Sequence, residues 1–239
     1  MSEPTPKAEK KAVRSEFRDT VVVIIEALLI AIVFRTFIYQ PFSIPTASMQ
    51  PTMMIGDYFV ADKFVWGFGA HSFPIALPFN GRIFGREPNR GDIAVFYNEP
   101  SGEDYIKRVI GLPGDRIQMK LGRLYINDKE VDRQLVASGT DTDSSGVTVP
   151  VQIYKETLPN GVSHIIQEIS DDGPLDNTGV YVVPAGHYFM MGDNRDNSED
   201  SRVLSAVGYV PEGDLEGKAE FRFFSMKDNI PPWQLWKWP

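Results

Sequence analysis

Three short segments of the chain carry residue types that could do chemistry. The first, Pro41-Phe42-Ser43-Ile44-Pro45-Thr46-Ala47-Ser48-Met49-Gln50-Pro51-Thr52, offers hydroxyls framed by prolines. The second, Tyr105-Ile106-Lys107-Arg108-Val109-Ile110-Gly111-Leu112-Pro113-Gly114-Asp115, sets Lys107 inside a strand-like apolar run. The third, Met190-Met191-Gly192-Asp193-Asn194-Arg195-Asp196-Asn197-Ser198-Glu199-Asp200-Ser201-Arg202, is dense in polar groups directly after Tyr188-Phe189. Each also has an ordinary reading: a serine in a solvated linker, a strand lysine alternating to the surface, and a polar loop. A reactive reading needs a hydroxyl nucleophile and a base to activate it. A serine hydroxyl attacks poorly until a base takes its proton, and Ser-Lys pairs are a variant of the triad arrangement. Lysine at its usual pKa of about 10.4 is neutral in only about one molecule in a few thousand at pH 7. A lysine base must therefore be desolvated, with a shift of about 3 units, or ~4 kcal/mol, to be half neutral near pH 7.5.

Other chemistries fit less well. The third segment is not a calcium loop: counted from Asp193, the third position is Arg195, the sixth is Ser198 where Gly is needed, and the twelfth is Leu204 where Glu is needed. His71, His164 and His187 stand in no motif context, and the pairs Asp171-Asp172 and Glu199-Asp200 read as solvated or salt-bridged. There is no Cys, which excludes disulfides, thiol catalysis and Cys-ligated metal. No metal or other cofactor is expected. The net charge of -8, without a basic stripe, argues against nucleic acid as a partner.

The elements that must position these residues begin with a membrane-spanning candidate. Thr20 to Tyr39 reads TVVVIIEALLIAIVFRTFIY, about the ~20 residues that cross a hydrocarbon core. Glu26 lies within two turns of its start and could reach the headgroups. Lys7, Lys10, Lys11, Arg14 and Arg18 precede it, whereas Gln40 to Val60 holds no Lys or Arg. The positive-inside rule then places the N-terminus in the cytoplasm and the rest of the chain across the membrane. A cleavable signal peptide is the rival reading, disfavoured because Arg35 to Phe42 separates the apolar run from any small residues.

Beyond the span the expected fold is mostly β. Strand-like runs are Tyr58–Lys63, Ile93–Tyr97, Tyr105–Ile110, Arg116–Lys120 and Leu124–Ile126, with reversals at Pro113-Gly114 and Asn127-Asp128. Val149–Thr157 and Ser163–Ile169 flank Pro159-Asn160-Gly161, where Asn-Gly predicts a hairpin with positive φ at both turn positions. The polar run Gly139–Gly146 reads as an exposed loop with no chemistry of its own. The expected organisation is a cytoplasmic segment 1–19, a transmembrane helix 20–39, a catalytic core in two parts, 40–117 and 184–239, and an inserted β subdomain 118–183. Phe64–Phe84 and the Trp-rich tail Pro231–Pro239 are expected in the core, with contact to the membrane interface as a second reading.

Taken together, the three segments resemble the type I signal peptidase family, over about residues 20–120 and 184–225. The resemblance implies a bacterial single-pass protease of the cytoplasmic membrane, its catalytic domain on the outer side. It removes signal peptides from exported preproteins, cutting after small residues in an Ala-X-Ala pattern. Residue by residue, it implies Ser48 as nucleophile, Lys107 as general base, and Thr46 with the Ser48 N–H as the oxyanion hole. Ser198 would orient the lysine as a neutral partner. Asp200 and Arg202 would support the site, and Asp193, Asp196 and Asp200 would stand back from Lys107, since a carboxylate against the amine would recharge it. Phe42, Ile44, Pro45 and Ile106 would wall the pockets. Two alternatives remain at this level: an anchored β domain that binds a partner, with Ser48 part of its stalk, and a related Ser-Lys protease that cleaves itself or a regulator.

Overall fold

The computed structural model describes residues 6–73, 78, 81–142 and 146–226. Two compact units divide the chain, Met1–Tyr39 and Gln40–Pro239. The first holds one helix, α1, Pro6–Phe37. It starts earlier than the apolar run because Pro6 suits a first helical position and nothing in the basic stretch after it breaks a helix. Within it, Glu16–Phe37 has a mean hydropathy of 2.3 and no buried share, so it is long and apolar enough to cross a membrane. Those 22 residues rise roughly 33 Å, against ~30 Å of hydrocarbon.

The second unit is built of strands: β1 Tyr39–Ser43, β2 Asp57–Asp62, β3 Ile93–Asn98, β4 Glu103–Gly111, β5 Arg116–Lys120, β6 Arg123–Ile126 and β7 Lys129–Glu130. There follow β8 Asp132–Thr142, β9 Thr148–Thr157, β10 Ser163–Glu168, β11 Tyr181–Val182, β12 His187–Met191, β13 Val210–Pro211 and β14 Leu215–Ser225. They form a seven-stranded sheet in the order β1-β2-β14-β3-β4-β12-β13, a four-stranded sheet β11-β5-β6-β7 and a three-stranded sheet β10-β9-β8. The first sheet is covered on both faces. On β3, Ile93 and Val95 join a core with Ile44, Met49, Met53 and Phe59, while Ala94 and Phe96 join a second with Trp66, Val109 and Tyr188. A third core, around Ile117, Leu124, Phe189 and Met191, lies against β5 and β6.

Three expectations from sequence change, and one long strand is additional. Gly139–Gly146 is not simply a loop: its first residues, Gly139 to Thr142, are the end of β8, paired with β9 from Val151 to Thr148. β14 has no counterpart among the strand-like runs named from sequence, although Leu215-Glu216-Gly217-Lys218-Ala219-Glu220-Phe221-Arg222-Phe223 alternates apolar and polar residues; its pairings are interrupted between Leu215 and Gly217, Ala219 and Phe221, and Arg222 and Phe224. The β9–β10 hairpin has positive φ at Gly161 alone. Pro159 holds its own φ negative, so the chain takes a wider turn, with Gly161 N–H donating to Leu158 O and Leu158 N–H to Val162 O. The segment Phe64–Phe84 is split: Trp66 and Phe68 are buried, whereas Phe64, Ile83 and Phe84 are exposed. The tail Pro231–Pro239 lies outside the described residues.

Candidate active site

Ser48 sits in a turn closed by a hydrogen bond from Gln50 N–H to Ala47 O (3.0 Å) and continued by Met53 N–H to Met49 O (2.9 Å). Met49 and Met53, fully buried, root this turn in the core. Lys107 comes from β4. It is 4% exposed, against the surface position that strand alternation suggests. Its Nζ donates to Ser48 Oγ at 2.7 Å. Burial lowers the amine to about 8, overcoming the opposing pull of Asp200, Asp193 and Glu199. Among the described residues no carboxylate forms an ion pair with it.

The carboxylates are occupied elsewhere. Burial pushes the Asp193 carboxyl up, but the Arg108 guanidinium beside it wins and holds it low; Arg108 and Asp193 are joined at 2.6 and 2.8 Å, and Thr52 Oγ1 donates to the same carboxylate at 2.5 Å. Asp200 is likewise pushed up by burial and held low by Arg202, at 2.8 and 2.9 Å. Asp200 also accepts from Gly192 N–H (3.0 Å), so the pair fastens the start of the polar loop to its end. β12 pairs with β4 up to Met191 opposite Arg108, which delivers Gly192 to the neighbourhood of Lys107. A Cβ on Gly192 would lie 2.2 Å from Ser198 Oγ and 2.5 Å from Ser48 O, so only glycine lets the two loops pack.

Thr46 Oγ1 lies 3.4 Å from Ser48 Oγ. Among the described residues, no acceptor takes the Ser48 backbone N–H. Ser198 is buried, but among the described residues its Oγ makes no hydrogen bond to Lys107, so the bond implied by resemblance is not formed here; Ser48 Oγ takes the amine instead. Phe42, Pro45 and Ile106 line a cavity of about 310 Å³ together with Ser48 and Lys107. Ile44 does not line it. Its side chain, 2% exposed, turns into the core with Met49 and Phe59, because its backbone is fixed by exchange with Asp57 and Gly56.

Sequence reasoning missed other lining residues. Val95 is opposite Ile106 across β3 and β4, and Phe59 stacks on Phe42 at 5.6 Å. Glu103, Asp104, Asn197 and Glu199 add a polar rim. A pairing of β3 with β4 would have exposed Val95. As for metal, His71, Glu99 and Asp214 each place a ligand atom within 4.8 Å of the others, and none of them lines the cavity around Ser48.

Comparison with known proteins places the chain in a family. A family model described as signal peptidase, peptidase S26, matches residues 17–224. Signal peptidase I of Rickettsia typhi (strain ATCC VR-144 / Wilmington) is 44% identical over 229 residues, covering 91% of this chain and 82% of its own. That of Rickettsia prowazekii (strain Madrid E) is 43% identical over 228 residues, with the same coverage of 91% and 82%. A crystal structure of a signal peptidase I from Enterococcus faecalis V583 is 29% identical and covers 56% of this chain and 97% of its own, at a TM-score of 0.32 that carries no argument. The class these matches define is serine endopeptidase. The chain belongs to the signal peptidase family, peptidase S26.

Proposed function

We propose that the protein is a membrane-bound endopeptidase that removes N-terminal signal peptides from exported preproteins, with Ser48 as nucleophile and Lys107 as general base. The observation that carries this reading is the 2.7 Å contact between Lys107 Nζ and Ser48 Oγ, made by an amine that burial brings down to about 8. Near neutral pH a useful fraction of that amine is unprotonated.

Neutral Lys107 takes the hydroxyl proton as Ser48 Oγ attacks the scissile carbonyl carbon. The oxygen that gains charge is met by the Ser48 N–H and the Thr46 hydroxyl, donors aimed where charge develops. The Lys107 ammonium then gives its proton to the departing amine, leaving the signal peptide as an ester on Ser48. Water, deprotonated by Lys107, cleaves the ester and restores the enzyme. The buried Ser198 Oγ is an acceptor for the ammonium while Ser48 is acylated. Asp200 and Arg202 hold the loop that carries Ser198.

An extended substrate has an edge to join. β12 covers β4 only from Arg108 to Gly111, which leaves the outer edge of Glu103–Lys107 without a strand partner among the described residues while β3 occupies the inner one. Adding a strand there sends alternate side chains toward Phe42, Pro45 and Ile106, walls that suit small residues of an Ala-X-Ala pattern. The apolar part of α1 would span the cytoplasmic membrane, with Lys7, Lys10, Lys11, Arg14 and Arg18 at the N-terminal end of the helix on the cytoplasmic side, leaving Ser48 on the outer side.

The test is cleavage of a preprotein bearing Ala-X-Ala by the full chain in detergent, wild type against Ser48→Ala. The variant is expected to fold, insert and leave the substrate uncut. Wild-type cleavage by Ser48→Ala ends the reading.

A further inference from the structure

One carboxylate outside the three reactive segments is bound by three amides, of which one belongs to the nucleophile turn and another touches it. Asp141, on the far end of β8, accepts from Gln167 Nε2 at 2.6 Å and from Asn194 Nδ2 at 3.1 Å. With its amide nitrogen turned inward, Gln50 donates to both oxygens of Asp141, at 3.0 and 3.1 Å. All three amide residues are buried and Asp141 is half-buried, so the amides would lose a partner in the interior if the carboxylate were removed.

The connections run straight to Ser48. Gln50 is the closing residue of its turn. Asn194 holds the opening side: Nδ2 also donates to Ala47 O at 3.1 Å, and its backbone N–H donates to Ser48 O at 3.1 Å. The orientation of Asn194 is forced. Its Oδ1 is left buried without a partner, yet reversing the amide would set that oxygen against two acceptors, Ala47 O and Asp141. Asp141 therefore keeps Asn194 pointed at the turn from one side and grips Gln50 on the other.

We infer that Asp141 is a positioning residue for Ser48: the tip of β8 holds the nucleophile turn in register with Lys107 through Gln50 and Asn194. This rests on the proposed role of Ser48. None of Asp141, Gln50, Gln167 or Asn194 lines the cavity, so losing the carboxylate leaves substrate binding alone and misplaces the attacking oxygen. Displacements of that kind, far from the chemistry, cost up to about a hundredfold in rate.

The experiment is steady-state cleavage of a peptide substrate by the full chain in detergent, for Asp141→Ala, Asn194→Ala, the double variant, and Ser48→Ala as reference. Asp141→Ala is expected to lose about tenfold to a hundredfold in kcat with KM within about twofold. Because Asp141 acts through Asn194 and Gln50, the double variant should lose far less than the product of the single losses, a non-additivity that general weakening of the fold does not produce. Asp141→Asn keeps the side-chain shape and one acceptor oxygen; Gln50 and Gln167 can rotate their amides to meet it, and Asn194 cannot. Its loss should be in kcat and smaller, and it serves the same test if the alanine variant does not fold. Wild-type kcat in the Asp141 variants, a loss carried by KM, or multiplicative losses would each overturn the inference. If Ser48→Ala stays active the functional reading fails instead; if Ser48→Ala is dead and Asp141→Ala is fully active, only the positioning role falls.

Discussion

Arg108 grips Asp193 with both sides of its guanidinium, Nε to Oδ1 at 2.8 Å and Nη2 to Oδ2 at 2.6 Å, and so removes a carboxylate from the service of the neighbouring Lys107. The amine is lowered to about 8 by burial, and Asp200 and Asp193 already pull against that. Since the base must be neutral to act, log kcat/KM should rise with pH at unit slope below about 8 and level above it. Arg108→Gln leaves Asp193 without its counter-charge, raises the Lys107 pKa and moves the acid limb of the profile to higher pH. Removing one partner of a buried pair should also destabilise the fold by about 3–5 kcal/mol, seen in the denaturant midpoint. An acid limb that stays in place in the folded variant would disprove the coupling of Asp193 to Lys107.

Thr46 tests the oxyanion assignment. Its hydroxyl stands 3.4 Å from Ser48 Oγ on an exposed stretch, so either substitution should leave stability nearly unchanged. Thr46→Ser keeps the donor and should stay near wild-type turnover, while Thr46→Val should lose ~10² to 10³ in kcat. Equal turnover of the valine variant and wild type would exclude a hydroxyl role.

Gly192 is held by space rather than by backbone angle. Its φ is not among the positive ones, so alanine is conformationally allowed there, but the new methyl would meet Ser198 Oγ at 2.2 Å and Ser48 O at 2.5 Å. Rotation can carry the Ser198 hydroxyl away but not its Cβ, which the methyl would also meet at 2.5 Å; the carbonyl of the nucleophile cannot move without carrying Ser48 with it. Gly192→Ala should cost about 1–3 kcal/mol of stability and at least about a hundredfold in kcat, for the reason of geometry given above. Full activity in the variant would show that the two loops tolerate separation.

Ile106 and Ile44 should part company when trimmed. Ile106 lines the cavity, so Ile106→Ala should admit larger residues at the cut and move some cleavages to new bonds, read by mass spectrometry of products from a substrate panel. Ile44 packs in the core, so Ile44→Ala should destabilise by about 2–5 kcal/mol and keep the wild-type cutting pattern. The reverse pattern would mean that the walls are wrongly assigned.

Local signals in the sequence were enough for the apolar span, for strands β2 to β6, β9 and β10, and for the turn at Pro113-Gly114, because each is a matter of periodicity, turn chemistry or a run of neighbouring residues. The pairing of Ser48 with Lys107 could be read from the sequence only through the resemblance of the three segments to the signal peptidase family. Whether Lys107 is a usable base could not, since that depends on what surrounds it: burial by strands and loops drawn from across the second unit, and the neutralising of Asp193 by Arg108, 85 residues away in sequence. Tertiary structure also decided against two local readings. Ile44, next to the pocket in sequence, is turned inward by backbone bonds to Asp57 and Gly56, and Asp141, in a polar run that looked like solvated loop, is drawn into a network of buried amides from three separate segments. Burial and charge compensation are properties of the packed assembly, and no window of sequence contains the partners that set them.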